Sequence, residues 1–363
     1  MHCEWTWRRM ALPALLAPAL ALGAGAQSAS SPMGAEWAAV PAVVRRSLGA
    51  DQAWQPSGAM ANASVAILRQ TSSRRLRVDG AVTWDTLTEF KVLTALGARQ
   101  LTNLPVFYRG NTTLGAVHVF VLNGHQVQVP AADAVHDYAT QLARQAPMYT
   151  DLRERIFTLP GLQAGALVVL DVHSLVRRQD LPGELTASWS PSAAPVVHRE
   201  LRITLPPGRR LAYATAPLLA PGAGKMKFRH SQRATPAGEV YTFVWTDVPA
   251  AVPEPYSAPD APMFEAATFA TWPDVGAWYY RLATPETAPD AAIRAQAARL
   301  VAGQTTRDGK IRALYDYVAA NFRYVSLSFG VGRYRPHAAA QVLANGYGDC
   351  KDKAALLIAL LRA

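Results

Sequence analysis

Closely spaced β-strand patterns between residues 61 and 247 constrain the fold of this 363-residue chain more than any other feature. Apolar side chains alternate within single strands, as at Leu201, Ile203 and Leu205. Pro-Gly pairs mark turns between the strands at 160–161, 182–183 and 207–208. Short strands at this spacing, separated by turn residues, predict a β-sandwich.

Three segments carry the clearest strand patterns. Val117–Val121 and Val127–Val129 flank an Asn-Gly pair suited to positive φ, so they predict a β-hairpin. Residues 165–172 form an apolar run interrupted only by Asp171, which is typical of a strand buried on both faces. A further strand places aromatic side chains on one of its sides: Tyr241, Phe243 and Trp245.

Beyond these strands the pattern becomes helical. Helices are predicted over 289–302, 306–320 and 336–344, with a short strand over 322–329. The second helix has apolar residues at helical spacing, which predict one buried stripe: Ile311, Leu314, Tyr315 and Val318. The predicted fold class is therefore α+β, an N-terminal antiparallel β-sandwich followed by a mostly helical segment.

A proline-rich stretch lies between the two regions and predicts a stiff linker over Pro249–Pro262. Pro273 then opens a short helix that carries Trp278, Tyr279 and Tyr280. Adjacent aromatic rings of this kind can stack on sugars. We interpret them instead as packing against the adjoining domain, because aromatic residues contribute most of their energy by burial.

Cys350 is the main candidate for chemistry, because it begins an apolar helix. Gly348 permits a tight approach of the backbone, and Asp349 is a good N-cap with Asp352 as the reciprocal member of a capping box. The first helical turn favours a thiolate through its unpaired N–H groups and the helix dipole. Lys351 and Lys353 add positive charge nearby, so the position suits a nucleophile.

Other interpretations of this segment stay open. A free cysteine at a helix start is often only a buried structural residue. If Cys350 is a nucleophile, its own backbone N–H is the oxyanion donor that the sequence indicates. His337 lies upstream and is a less favoured base, and Gln341 could polarise a carbonyl group but is expected to face solvent.

The run from Arg335-Pro336 to Ala344, followed by Tyr347-Gly-Asp-Cys-Lys-Asp-Lys-Ala354, resembles the cysteine-bearing segment of bacterial transglutaminase-like domains. The resemblance implies a papain-like fold in which a later histidine and aspartate complete a triad with the nucleophile Cys350. Both partners would lie beyond Ala363. We therefore expect this chain to be a truncated form that carries the nucleophile alone and is inactive as it stands.

The strand-rich region also resembles a domain of unknown function that precedes transglutaminase-like domains in exported bacterial proteins. The similarity lies in Ile156-Phe-Thr-Leu-Pro-Gly161, in Gly165–Leu170 and in Phe269-Ala-Thr-Trp272 before Trp278-Tyr279. It implies an antiparallel sandwich and carries no catalytic residues. The predicted domains are a signal peptide at 1–26, a flexible leader at 27–60, the β-sandwich at 61–248, a linker with the aromatic helix at 249–290, and the N-terminal half of the transglutaminase-like domain at 291–363.

The N-terminus predicts export. Arg8 and Arg9 precede an apolar run, and Ala24-Gly25-Ala26 before Gln27 forms a cleavage site. The composition favours a bacterial periplasm, and no later segment is long enough for a membrane span after cleavage. The mature chain would keep Cys350 as its single thiol, because Cys3 lies in the signal. A lone thiol is a liability in an oxidising compartment unless it is buried or used.

Composition limits the partners. The net charge of +10 comes from short clusters such as Arg74-Arg75-Arg77, without a basic helix, so a nucleic-acid partner is not expected. No residues are spaced as metal ligands, and no cofactor is expected. The expected partner is a protein or peptide substrate, or a component of the cell envelope; the sequence leaves the oligomeric state open.

The sequence therefore supports two functional hypotheses. In the first, the complete protein is a thiol acyl-transfer enzyme that hydrolyses peptides or amides, or transfers the acyl group to an amine, through Cys350. In the second, the sandwich is a non-catalytic envelope binding or scaffold module. The DNA after codon 363 separates them: a reading frame that continues to a histidine and an aspartate favours the enzyme, and a stop codon favours the binding module.

Overall fold

The structure of the chain is a computed structural model. It describes residues 51, 53–123, 126–145, 151–177, 181, 183–215, 226–251, 263–325 and 334–363. The predicted signal peptide and most of the leader and the proline-rich linker lie outside the described residues, as does the second half of the predicted 322–329 strand.

An eight-stranded sheet dominates the structure, with the spatial order β12-β13-β10-β1-β2-β8-β4-β5. Its strands are β1 (Val65–Leu76), β2 (Val82–Val92), β4 (Thr112–Asn123), β5 (Gln126–Gln128), β8 (Leu167–Val176), β10 (Val196–Leu205), β12 (Lys227–Thr235) and β13 (Gly238–Val248). All neighbours are antiparallel except β1 and β10, which run parallel. The parallel pair is a departure from the fully antiparallel sandwich that the sequence predicts.

Two three-stranded sheets pack on this large sheet, in the orders β11-β14-β9 and β3-β7-β6. Their strands are β3 (Asn103–Tyr108), β6 (Val135–Ala139), β7 (Arg153–Thr158), β9 (Thr186–Trp189), β11 (Ala212–Thr215) and β14 (Phe264–Ala267). Two short helices belong to the same region: α1 (Ala95–Leu101) and α2 (Gln141–Gln145).

Both small sheets cover the same face of the large one. The core under β11-β14-β9 includes Ile67, and the core under β3-β7-β6 includes Val168. Phe90 lies on β2 between these two residues: it is the register partner of Ile67 on β1 and of Val168 on β8. Its side chain packs against both cores. The opposite face buries a separate cluster that includes Leu167 and Val169, so β8 is apolar on both sides as predicted.

The strand predictions made from local patterns are confirmed. The predicted hairpin is the antiparallel pair β4 and β5, although its Asn-Gly turn is only partly described. The aromatic row of β13 is buried under β11-β14-β9: Tyr241, Phe243 and Trp245. The predicted α+β fold class is thus correct, because strands fill the N-terminal region and helices follow.

The helical segment forms its own core. It contains α3 (Trp272–Ala283), α4 (Ala291–Val301), α5 (Arg307–Asn321), α6 (Ala339–Asn345) and α7 (Cys350–Arg362), and the short parallel strands β15 (Arg323–Tyr324) and β16 (Tyr347–Gly348). Its buried residues come from the last four of these helices and include Ile293, Leu314, Val342 and Leu356. The turn after α6 uses Gly346 in the left-handed region, at φ 70°, where glycine is the favoured residue.

The predicted apolar stripe of α5 is only half correct. Leu314 and Val318 are buried, whereas Ile311 and Tyr315 are exposed because α4 and α7 contact only one narrow side of the helix. Within the described residues, no helix has both the length and the apolar character that a bilayer span requires.

Candidate active site

The turn that leads into α7 has the capping box that the sequence predicts. The Asp349 carboxylate accepts hydrogen bonds from the N–H groups of Lys351, at 3.0 Å, and Asp352, at 3.2 Å. In return, the Asp352 carboxylate accepts the Asp349 N–H at 3.2 Å. Both aspartates are buried. The two carboxylates thus fix the backbone on either side of Cys350.

Gly348 is required in this turn by space rather than by its backbone conformation. A Cβ atom at this position would lie 2.6 Å from the Asp352 Cβ and 3.1 Å from its Oδ2. Any side chain would therefore displace the carboxylate that completes the capping box.

Cys350 occupies the first position of α7 and is exposed to solvent. The two lysines that the sequence places beside it have partners elsewhere. The Lys351 ammonium group pairs with the Asp349 carboxylate, and the Lys353 ammonium group donates to the Phe322 carbonyl at 3.0 Å. The start of α7 is therefore the main structural feature beside the thiol, because both lysine ammonium groups have partners elsewhere.

His337 lies in the segment before α6 and is tied to the same turn. Its backbone N–H donates to Asp352 Oδ1 at 2.8 Å, and its ring Nδ1 lies 3.1 Å and 3.0 Å from the two carboxylate oxygens. The ring is oriented by a buried carboxylate two residues after Cys350, as a catalytic histidine is oriented by its aspartate. Because His337 precedes Cys350, the sequence does not favour it as a base. Its position beside the Asp352 carboxylate is seen only in the folded chain.

The aromatic helix α3 also contributes to this site. Burial raises the pKa of the Tyr279 phenol, and the neighbouring charges of Cys350 and the two capping aspartates raise it further. Trp278 is buried, with its ring edge-on to those of Phe269 and Tyr334. The expectation of packing is correct for Trp278, whereas Tyr280 is 65% exposed. Tyr279 is 40% exposed, and the sequence alone does not show that charges at the start of α7 raise its pKa.

The arrangement supplies part of what acyl transfer needs. Hydrogen bonds to the capping carboxylates occupy the N–H groups of Lys351 and Asp352. Within the described residues, the N–H of Cys350 itself makes no hydrogen bond, so it can donate to an oxygen held above the sulfur. Gln341, the other polar candidate from the sequence, is exposed.

No metal site accompanies the thiol in the described part of the chain. There, no three His, Cys, Asp or Glu side chains cluster closely enough to hold an ion. A cleft of about 620 Å³ lies beside α3 and is lined by residues that include Arg209, Thr268 and Trp278, but not Cys350.

Two parts of the chain match known family models. Residues 78–252 match the family model described as Domain of Unknown Function DUF3857, and residues 294–363 match the model of the transglutaminase-like superfamily. The resemblance predicted from the sequence is therefore confirmed: a DUF3857 region is followed by a transglutaminase-like region that contains Cys350.

The crystal structure of a "putative protease" from Parabacteroides distasonis ATCC 8503 shares the architecture, with a TM-score of 0.65 and 17% sequence identity. The match covers 82% of this chain and 58% of that one, so this chain spans under two thirds of that structure's length. An M1 zinc metallopeptidase from Deinococcus radiodurans matches at 12% identity over 57% of this chain and 42% of its own; its TM-score of 0.30 is too low to indicate a shared fold. None of the curated proteins compared with the chain is a significant match.

Proposed function

We propose that this chain carries the nucleophile of a thiol acyl-transfer enzyme that acts on peptide or amide bonds. The observation that carries the proposal is an exposed thiol on the first turn of a capped helix, within a region that matches the transglutaminase-like superfamily. The protease name of the structural relative is consistent with a protein or peptide substrate. Cys350 is the proposed nucleophile.

In the proposed reaction, the Cys350 thiolate attacks the carbonyl carbon of an amide and forms a C–S bond. The negative charge moves to the carbonyl oxygen, where the Cys350 N–H stabilises it. The C–N bond then breaks, and the departing amine takes the proton that the thiol gave up. Water or a second amine attacks the resulting thioester and regenerates the thiol, which completes hydrolysis or transfer.

The mechanism also needs a base that takes up and returns this proton, and there are two candidate sources for it. The resemblance implies a histidine after Cys350, and the sequence of residues 351–363 contains none. His337 is the alternative, because the Asp352 carboxylate already orients its ring. A positioned base typically contributes about a hundred- to ten-thousandfold in rate, so its source decides whether residues 27–363 turn over substrate.

The N-terminal 26 residues support a second proposal, that the protein is exported to the periplasm. The basic start, the apolar run and the small residues before Gln27 have the order of a secretory signal. Mass spectrometry of protein recovered from the periplasm of an expressing bacterium should find Gln27 at the N-terminus. An intact Met1 terminus would contradict the proposal.

A peptide-turnover assay tests the enzyme proposal. Residues 27–363, and a version extended by the codons that follow 363, are incubated with a peptide mixture with and without a primary amine. New carboxyl ends indicate hydrolysis, and amine adducts indicate transfer. We expect the extended chain to turn over substrate and Cys350→Ala to abolish this, with residues 27–363 inactive.

Two variants locate the base. If residues 27–363 are active and His337→Gln removes the activity while helix content is unchanged, His337 is the base. If neither chain modifies any peptide, or Cys350→Ala retains activity, the acyl-transfer proposal is wrong and the alternative of a binding or scaffold module gains support.

A further inference from the structure

A polar strip crosses the covered face of the large sheet, between the two apolar cores. Gln70 and Ser72 of β1 pair with Thr88 and Thr86 of β2 on this face. Ser72 and Thr86 hydroxyl groups lie 3.1 Å apart, and both Ser72 and Thr88 are buried. Buried polar side chains in the middle of a sandwich are uncommon and call for partners.

Two arginines line one side of this strip. Arg199 of β10 is next to Gln70 in the parallel register and is only 9% exposed. Arg74 of β1 follows two residues after Ser72 on the same face, and it is half-buried. Strand alternation therefore brings two guanidinium groups from neighbouring strands to the polar strip.

Each guanidinium group has neutral neighbours. Arg199 donates to the side-chain oxygen of Gln70 and lies 4.4 Å from the ring centre of Trp189. Arg74 donates to the Thr186 carbonyl at 2.9 Å and lies 4.0 Å from the ring centre of Trp84. The Nε atoms of both arginines are buried without a hydrogen-bond partner among the described residues.

The positive charges at this place are not balanced within the described residues. No carboxylate there lies within 4.0 Å of either guanidinium group. Burial lowers the pKa of Arg74 and of Arg199, and repulsion from Arg74 lowers that of Arg199 further. Arginine remains charged at neutral pH even so. Two neighbouring, desolvated cations are unfavourable unless an anion joins them.

We propose that Arg74 and Arg199 form a binding site for one oxyanion group of a ligand, either a carboxylate or a phosphate. The planar guanidinium forks have N–H donors to spare and match either group in a bidentate geometry. Trp84 and Trp189 flank the site, each with its ring beside one of the two guanidinium groups, and Trp84 is 40% exposed. This site is separate from Cys350 and does not depend on the acyl-transfer proposal.

Anion titrations of the purified full chain test the site. Binding of inorganic phosphate and of acetate is followed by calorimetry and by the melting temperature, each against chloride at equal ionic strength. We expect phosphate, acetate or both to bind and to raise the melting temperature beyond the effect of chloride. The anion that binds more tightly identifies the ligand group as a phosphate or a carboxylate.

Neighbouring residues on one strand provide a matched control. Arg74→Met should weaken binding by about tenfold or more, because it removes charged hydrogen bonds to the anion. Arg75→Met should leave binding unchanged, because Arg75 is exposed on the opposite face of β1. Arg199→Met should weaken binding as Arg74→Met does. If the Arg199→Met protein does not fold, the comparison of Arg74→Met with Arg75→Met still shows whether the inward-facing arginine binds the anion.

Three results would overturn the site. Phosphate and acetate could have no effect beyond that of chloride, which would make both arginines structural. Arg74→Met could bind as tightly as the unmodified chain. Arg75→Met could lose binding as much as Arg74→Met, which would indicate a general effect of surface charge.

Discussion

At the scale of residues, the turn around Cys350 shows which features sequence can predict. The capping box of Asp349 and Asp352 was predictable, because both partners lie within one helical turn. The contacts of Lys353 and His337 could not be predicted, because they join segments that meet only after α5, α6 and α7 have packed together. The thiol environment therefore depends on the helix N-terminus more than on the lysines.

Alkylation of Cys350 tests this thiol environment. In residues 27–363, iodoacetamide should modify the thiol faster in the folded protein than in urea at the same pH near 7. The physical reason is general: the first turn of a helix favours negative charge through its unpaired N–H groups and its dipole, and Cys350 begins α7. Peptide mapping by mass spectrometry gives both rates. Equal rates, or a slower rate in the folded protein, would mean that the turn does not activate the thiol.

Gly348 gives a prediction about stability. Gly348→Ala should lower the free energy of unfolding by about 1–3 kcal/mol, the usual cost of forcing atoms into a filled site. The clash is with Asp352, whose Cβ would lie 2.6 Å from the new one. Gly276→Ala in α3 is the control: nothing lies within 4 Å, and the change should stabilise the protein by up to about 1 kcal/mol. Urea denaturation measures both. A loss at Gly276 equal to that at Gly348 would show that the close contact is not the cause.

At the scale of elements, local patterns predicted strands and helices but not their pairing. β13 and β8 could be predicted because each has a pattern within a few consecutive residues: alternating aromatic side chains in β13 and an apolar run in β8. The parallel pairing of β1 with β10 joins distant segments, and it is this pairing that places Arg74 near Arg199. The sequence showed Arg74 only as part of a short basic run with Arg75. Only the register of β1 with β2 shows that Arg74 lies on the covered face of the sheet and Arg75 on the opposite face.

The pairing of β2 with β8 gives a pH prediction. A hydrogen bond from His173 Nδ1 to Asp85, at 2.9 Å, raises the pKa of His173, and Asp171 raises it further. Because the folded pKa is above the unfolded one, this stabilisation is full below about pH 6.5 and is lost as the pH rises through the folded pKa. His173→Gln should therefore cost at most about 1 kcal/mol at pH 5.5, since the pair is half exposed, and almost nothing at pH 8.5.

Urea denaturation of both proteins at the two pH values measures this difference. Asp85→Asn should weaken the pH dependence without abolishing it, because Asp171 still raises the pKa of His173. A cost of His173→Gln that is equal at pH 5.5 and pH 8.5 would show that packing, rather than charge, accounts for the contact.

At the scale of the whole molecule, two parts of the chain match family models, residues 78–252 that of DUF3857 and residues 294–363 that of the transglutaminase-like superfamily. The sequence predicted both, since each has a recognisable local pattern. In α7, Leu356 and Leu360 are buried against the other helices, whereas Ile358 and Leu361 are exposed. The cysteine-bearing helix is thus held in place by its own helical core.

A comparison of two reactions tests most directly whether this helix presents Cys350 for acyl transfer. Acylation by p-nitrophenyl acetate passes through an oxyanion that the Cys350 N–H can stabilise, whereas alkylation by iodoacetamide does not. Each rate at Cys350 is measured by mass spectrometry in folded and in urea-unfolded residues 27–363, with Cys350→Ala as the blank. We expect folding to accelerate acylation about tenfold more than alkylation, equivalent to about 1.4 kcal/mol of transition-state stabilisation. Equal acceleration of the two reactions would contradict the proposed role of Cys350.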